Sequence, residues 1–178
     1  VASGGCGAPA RAGASLLSPR PPAKIAKLRP VFGTEWKSAM QSIRHGSCLC
    51  GAVSFRTRGP LRGVVYCHCS QCRRQTGHVV AATSARGADI DIEGGESLTW
   101  YAASDDAKRG FCGICGSVLF WKHNQLDRIS IMAGAFARPS GLVGESHIFV
   151  ADKGDYYEIC DGLPQFERSS PTIKVAKD

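Results

Sequence analysis

Val64-Val65-Tyr66-Cys67-His68-Cys69-Ser70-Gln71-Cys72-Arg73-Arg74 runs a β-prone segment into three cysteines and then two arginines. On an extended strand, Cys67 and Cys69 face one way and His68 the other. A turn at Ser70-Gln71 brings Cys72 back toward the first two. Three sulfurs around one point are a metal-ligating arrangement, and His68 is a poor fourth ligand because it points away.

Two further clusters flank this one: Cys48-Leu49-Cys50 before it and Cys112-Gly113-Ile114-Cys115 after it. Seven of the nine cysteines fall in the three clusters. Cys6 and Cys160 remain; Cys160 reads as a buried strand thiol. A disulfide scaffold is disfavoured by the odd count and by the spacing, since Cys48 and Cys50 are badly placed to bridge each other. Leu16-Leu17 is too short for a secretory apolar region. Reduced thiols in a reducing compartment are the expectation, and the cytoplasm is the expected location.

Zinc takes four protein ligands in structural sites and three plus an open position in catalytic ones. Spacing leaves two partitions. Cys69-x-x-Cys72 with Cys112-x-x-Cys115 would make a four-cysteine ribbon. Cys48 and Cys50 with Cys112 and Cys115 would leave Cys67, Cys69 and Cys72 as a local triad. Gly51 and Gly116, each following a cysteine pair, suit the tight turns of metal knuckles.

Outward from the clusters, short β-prone runs alternate with turns. Ala52–Thr57, Gly63–Tyr66, Val79–Thr83, Ile90–Ile92, Leu98–Tyr101, Val118–Trp121, Arg128–Met132 and Ser146–Val150 read as strands, and 70–76 as a helical turn stopped by Gly77. No long helical period appears. The fold class is therefore all-β, built from antiparallel sheets.

The domain is expected over 40–178. Residues 1–39 are Pro-, Gly- and Ala-rich and read as a disordered basic leader, with Met40 the alternative start. This leader carries +5 of the net charge of +7. Seven metal-bound thiolates would bring the rest of the chain near neutrality. Nucleic-acid binding is thus not expected from the charge. No apolar run reaches membrane-spanning length, so no membrane partner is expected.

From Gly46 to about Phe166 the sequence resembles the glutathione-dependent formaldehyde-activating enzymes, also called the centromere-protein-V-like family. The resemblance is carried by Gly46–Val53, Cys67–Gly77, Leu98–Tyr101 and Arg109–Ser117, and more weakly by His147–Val150 and Asp161–Pro164. It implies antiparallel sheets in a tent-like arrangement with zinc-binding knuckles. It also implies two Zn²⁺ per chain: a structural ion on Cys48, Cys50, Cys112 and Cys115, and a catalytic one on Cys67, Cys69 and Cys72. Where many members carry a tryptophan, this chain reads Asp155-Tyr156-Tyr157.

Three thiolates leave a zinc ion a weak Lewis acid but a good host for a fourth sulfur. The expected substrate is a small thiol such as glutathione, and the implied activity is a carbon–sulfur lyase joining it to formaldehyde as S-(hydroxymethyl)glutathione. Arg73 and Arg74 are candidate clamps for its carboxylates. Gln75, Thr76 and Gly77 are candidate donors if they stand at a helix start. Tyr156 and Tyr157 read mainly as sheet packing. The competing reading is a non-catalytic zinc module docking a protein or nucleic acid. It is favoured by the basic leader and by the lack of an evident acid–base residue.

Overall fold

Residues 43–170 are described by the computed structural model. The expected leader over 1–39 lies outside them. Ten strands follow in order: β1 (Arg44–Ser47), β2 (Ser54–Thr57), β3 (Val64–Cys67), β4 (Val80–Arg86), β5 (Ile90–Glu93), β6 (Leu98–Ala102), β7 (Ala107–Cys112), β8 (Val118–His123), β9 (Arg128–Met132) and β10 (Gly144–Ile148). One short helix, α1 (Ser70–Thr76), ends at Gly77, whose φ of 79° is left-handed. This is the helical turn expected from the sequence.

The strands form a three-stranded sheet, β1-β2-β5, and a seven-stranded sheet, β10-β3-β4-β9-β8-β7-β6. Every pairing is antiparallel except β3 with β10, which is parallel. The expected antiparallel sheets are present, with this one exception. Strands β1 and β7 were not expected. Ala107-Lys108-Arg109-Gly110-Phe111-Cys112 carries adjacent cations and a glycine, so it shows no apolar alternation. Pairing on both sides makes it a strand regardless. No helix among the described residues is long and apolar enough to cross a membrane.

Strand alternation gives the large sheet two different faces. One packs on the small sheet through Phe55, whose ring meets Phe120 edge-on at 5.6 Å and Phe136 at 5.1 Å. Ile129, Ile131 and Ala85 complete this main core. Gly46 is opposite Phe55 in register, and a Cβ there would lie 2.2 Å from the Phe55 ring. A side chain at 46 would therefore push the small sheet off the core. On the opposite face, Val65, Cys67, Val80, Ala82, Ser130 and Trp121 look into a cavity.

Phe55→Ala should cost about 3–5 kcal/mol, as for other buried aromatic truncations. Urea denaturation is expected to show a lower midpoint with an unchanged slope. A midpoint like that of the parent would show that Phe55 does not join the sheets.

Candidate metal centres

The loop between β1 and β2 and the loop between β7 and β8 each fold into a knuckle. In the first, the Val53 carbonyl accepts from Cys48 N at 2.9 Å, and Val53 N–H donates to Cys48 Sγ at 3.3 Å. In the second, Cys112 N donates to the Ser117 carbonyl at 3.0 Å and Gly116 N to the Cys112 carbonyl at 2.9 Å. Gly51 and Gly116 have φ of 79° and 74°, the left-handed turns the sequence led us to expect. Leu49 N–H donates to Ser117 Oγ at 3.0 Å and ties one knuckle to the other.

The result is four sulfurs, of Cys48, Cys50, Cys112 and Cys115, all within 4.8 Å of one another. Cys48 and Cys50 sulfurs are 3.5 Å apart, and Cys50 and Cys112 are 3.8 Å apart. A tetrahedral zinc with Zn–S near 2.3 Å requires S···S of about 3.8 Å. The spacing fits such an ion and is far too long for disulfides. It groups Cys112 and Cys115 with the first knuckle, so the alternative ribbon with Cys69 and Cys72 is not formed. Without a cation the sulfurs do not all ionise. The Ser117 hydroxyl and backbone pull Cys115 down to about 5. Cys50 is pushed up to about 12: the Ala52 backbone favours its thiolate, but Cys48 and the other thiols outweigh it.

The sulfurs of Cys67, Cys69 and Cys72 form the second cluster, also within 4.8 Å. Cys67 ends β3, Cys69 caps α1 by accepting from Cys72 N–H at 3.4 Å, and Cys72 is buried. Hydrogen bonds from Cys67 and then Cys72 hold Cys69 far below the ordinary thiol range, while Cys67 is pushed up by Cys69 and Cys72. Three soft donors with one thiolate among them suit a thiophilic cation such as zinc.

Arg109 is the residue that sequence reading missed as a site member. Its guanidinium is buried, at 6% exposure, and lies 3.8 and 3.9 Å from Cys72 Sγ. It donates to Gln75 Oε1 at 2.7 Å and to Gln71 Oε1 at 3.2 Å. Among the described residues it makes no ion pair with a carboxylate. A buried cation needs a compensating charge, and the triad, with its Cys69 thiolate, is the cluster it lies against.

The triad opens onto a cavity of about 320 Å³, walled by apolar side chains and by Arg62 and Arg109. A second cleft of about 340 Å³ shares Gln71 and Arg109 with it and includes Arg74, Gln75 and Tyr101. Of the expected substrate contacts, Arg74 and Gln75 thus face a cleft. Arg73 is half-buried and lines neither. Thr76 and Gly77 stand at the end of α1, not its start. The Thr76 hydroxyl donates to the Cys72 carbonyl at 3.0 Å and Gly77 N–H to that of Arg73 at 2.9 Å, so both close the helix.

His68 points away from the triad, as alternation requires, but side chains rather than backbone satisfy its ring. It bonds the Tyr157 hydroxyl through Nδ1 and His147 Nδ1 through Nε2, the latter at 2.8 Å. His147 Nε2 reaches Asp161 Oδ2 at 2.9 Å. The carboxylate accepts from His147 Nε2–H, which makes Nδ1 the acceptor for His68 Nε2–H, and His68 Nδ1 the acceptor for Tyr157. This chain pins the strand end between Cys67 and Cys69 to the C-terminal segment. Tyr157 therefore anchors that strand end and does not lie in a strand itself; nor does Tyr156. Cys160, expected in a buried strand, is exposed in an irregular segment.

A two-sheet β domain carrying two cysteine clusters, one of four and one of three, has the donor sets of a metal–thiolate protein. The chain belongs to the glutathione-dependent formaldehyde-activating enzyme family, whose model matches residues 43–152. It is 26% identical to an uncharacterised lyase of Schizosaccharomyces pombe, over 68% of this chain and 88% of that one. A Halomonas elongata protein named for the family is 32% identical, over 66% of this chain and 81% of its own length. A crystal structure of a Rhodobacter sphaeroides protein matches with a TM-score of 0.46 at 29% identity, covering 56% of this chain and 97% of that one.

Two predictions follow from the two clusters and the histidine chain. Cys69→Ser should lose the triad ion and stay folded, whereas Cys115→Ser should lose the other ion and much of its stability. Zinc content with thermal unfolding reads both, and equal destabilisation would contradict the division. Asp161 is held below the ordinary carboxyl value of 3.8, first by the His147 hydrogen bond. A lowered native value adds stability above the unfolded pKa and loses it as pH falls through the native one. The stability gap between parent and Asp161→Asn should therefore shrink below about pH 4; a gap independent of pH would argue against the bond.

Proposed function

We propose that the protein is a zinc-dependent carbon–sulfur lyase working on a small thiol adduct, with glutathione and formaldehyde as its substrates. The reading rests on one observation: a three-cysteine cluster beside a buried arginine opens onto a cavity, where a docking module would need only the closed cluster. Cys67, Cys69 and Cys72 would hold one zinc ion, and Cys48, Cys50, Cys112 and Cys115 a structural one. Bound at the triad, zinc would supply a position at which a substrate thiol ionises near neutral pH.

The chain's own residues account for the rest. The apolar walls strip water from the entering sulfur and so raise its reactivity. Arg109 sets a positive charge beside Cys72 and offsets the negative charge that accumulates as another thiolate arrives. Among the described residues the cavity lining holds no carboxylate or imidazole, and the thiol proton leaves to solvent. The sulfur lone pair forms the C–S bond to the aldehyde carbon, the C=O π pair moves to oxygen, and oxygen takes a proton from water. The reverse sequence cleaves C–S. A cytoplasmic setting fits, because thiol ligands and thiol substrate both require reducing surroundings.

Titrating zinc-loaded protein with glutathione tests this reading. Saturable binding that Cys67→Ser abolishes is expected. No binding at millimolar glutathione would rule out a glutathione-specific site.

A further inference from the structure

The triad cavity contains a second arginine that the chemistry above does not use. Arg62 precedes β3, and its backbone is held on both sides. Its N–H donates to the Ser84 carbonyl at 3.2 Å, and its carbonyl accepts from the Thr83 hydroxyl. Its guanidinium is fixed as well, with Nη2 donating to the Ala82 carbonyl at 2.8 Å and Nε to the Gly63 carbonyl at 3.2 Å. Neutral carbonyls orient a guanidinium without neutralising it. Among the described residues Arg62 forms no ion pair, and Nη1 has no hydrogen-bond partner. Burial opposes its charge most and lowers its pKa, Glu145 favours the charge without a direct ion pair, and Arg128 opposes it. An arginine keeps its proton under such conditions. The cavity wall therefore presents a fixed cation that is in direct ion pair with no carboxylate among the described residues.

The position of this cation along the sheet decides what it would meet. Cys67 is opposite Val80, and Val65 is opposite Ala82, the residue whose carbonyl Arg62 holds. The anchor thus lies two register positions from Cys67, roughly 7 Å away, on the side opposite α1. In a peptide thiol, the carboxylate of a glycine directly after the cysteine lies about the same reach from the sulfur, roughly 7 Å when extended.

We propose that Arg62 is the carboxylate anchor of the triad cavity, selecting thiols that carry an acid group one residue beyond the sulfur. The proposal rests on the reading of the triad as a thiol site and names its specificity-determining residue. Arg74, in the adjoining cleft on the α1 side, is left for a second acid group.

The test is calorimetric titration of zinc-loaded full-length protein with two probes, glutathione and its glycyl monoethyl ester. These differ only in that carboxylate. The parent protein should bind glutathione roughly ten- to a hundredfold more tightly than the ester, the span expected for a charged hydrogen bond. Arg62→Gln should bind both alike, with ester affinity and zinc content unchanged. Should Arg62→Gln fail to fold, Arg62→Lys serves instead. It keeps the charge but loses the fork, so the preference should fall severalfold. A preference that survives both substitutions, or no preference in the parent, overturns the assignment of Arg62 alone. Failure of the parent to bind either probe overturns the thiol-site reading, and the anchor with it.

Discussion

Everything else in this domain depends on the meeting of two knuckles. Cys48 and Cys50 lie in a loop of the small sheet, Cys112 and Cys115 at a strand end and loop of the large one, and Cys50 and Cys112 are 62 positions apart in sequence. Bringing them together closes a long loop, a cost that grows only slowly with length. The convergence also fixes where β7 begins its turn into β8. Cys112 and Arg109 lie three apart on β7, an odd separation, so their side chains leave opposite faces. One strand therefore carries a ligand of the closed cluster on one face and delivers a cation to the open cluster on the other. The pairing of Arg109 with Trp121 sets that side chain at the cavity.

How much of this was legible in the sequence varied with the kind of signal. β9 was read with its observed bounds because Arg128-Ile129-Ser130-Ile131-Met132 alternates cleanly. α1 was read as a helical turn over 70–76 stopped by Gly77, which adopts the left-handed conformation that ends helices. β7 was not read, because its burial comes from neighbours on both sides and not from its own composition. Arg109 was lost with it: an arginine in an unassigned segment looks like surface. The choice between two cysteine partitions was equally out of reach, since Cys112-x-x-Cys115 is compatible with either partner pair. The packing of the two sheets decides it, with Leu49 N–H on Ser117 Oγ tying the first knuckle to the second.

The two clusters share a chemistry and differ in their frames. In the closed cluster Cys48 and Cys112 are buried in the main core while Cys50 is exposed, and backbone and hydroxyl groups reach the sulfurs: Val53 N–H to Cys48, Ser117 Oγ to Cys115 at 3.2 Å. The triad is built at a strand end and a helix start, so each sulfur is fixed by an element rather than a loop. Its neighbours are Val80, Ala82, Met132 and Trp121, a small apolar cluster distinct from the main core. A dry wall strengthens every charge interaction at the site, which makes the identity of the nearby charges decisive.

Those charges are all of one sign. A cavity lined by Arg62 and Arg109, with no carboxylate in its wall among the described residues, would be costly to form around neutral thiols, because two guanidinium groups would then be partly desolvated with only carbonyl and amide partners. Three thiolates with a divalent cation would carry net −1 and balance one of the arginines. The second, in direct ion pair with no carboxylate among the described residues, would gain from an anion that enters. The cavity is thus electrostatically complete only in the presence of a negatively charged occupant. A neutral thiol that ionises on arrival would supply one charge at the sulfur end, and a carboxylate-bearing thiol would supply charges at both ends. On these grounds the wall favours acidic thiols over neutral ones of equal size. The preference arises without any acid–base side chain in the lining.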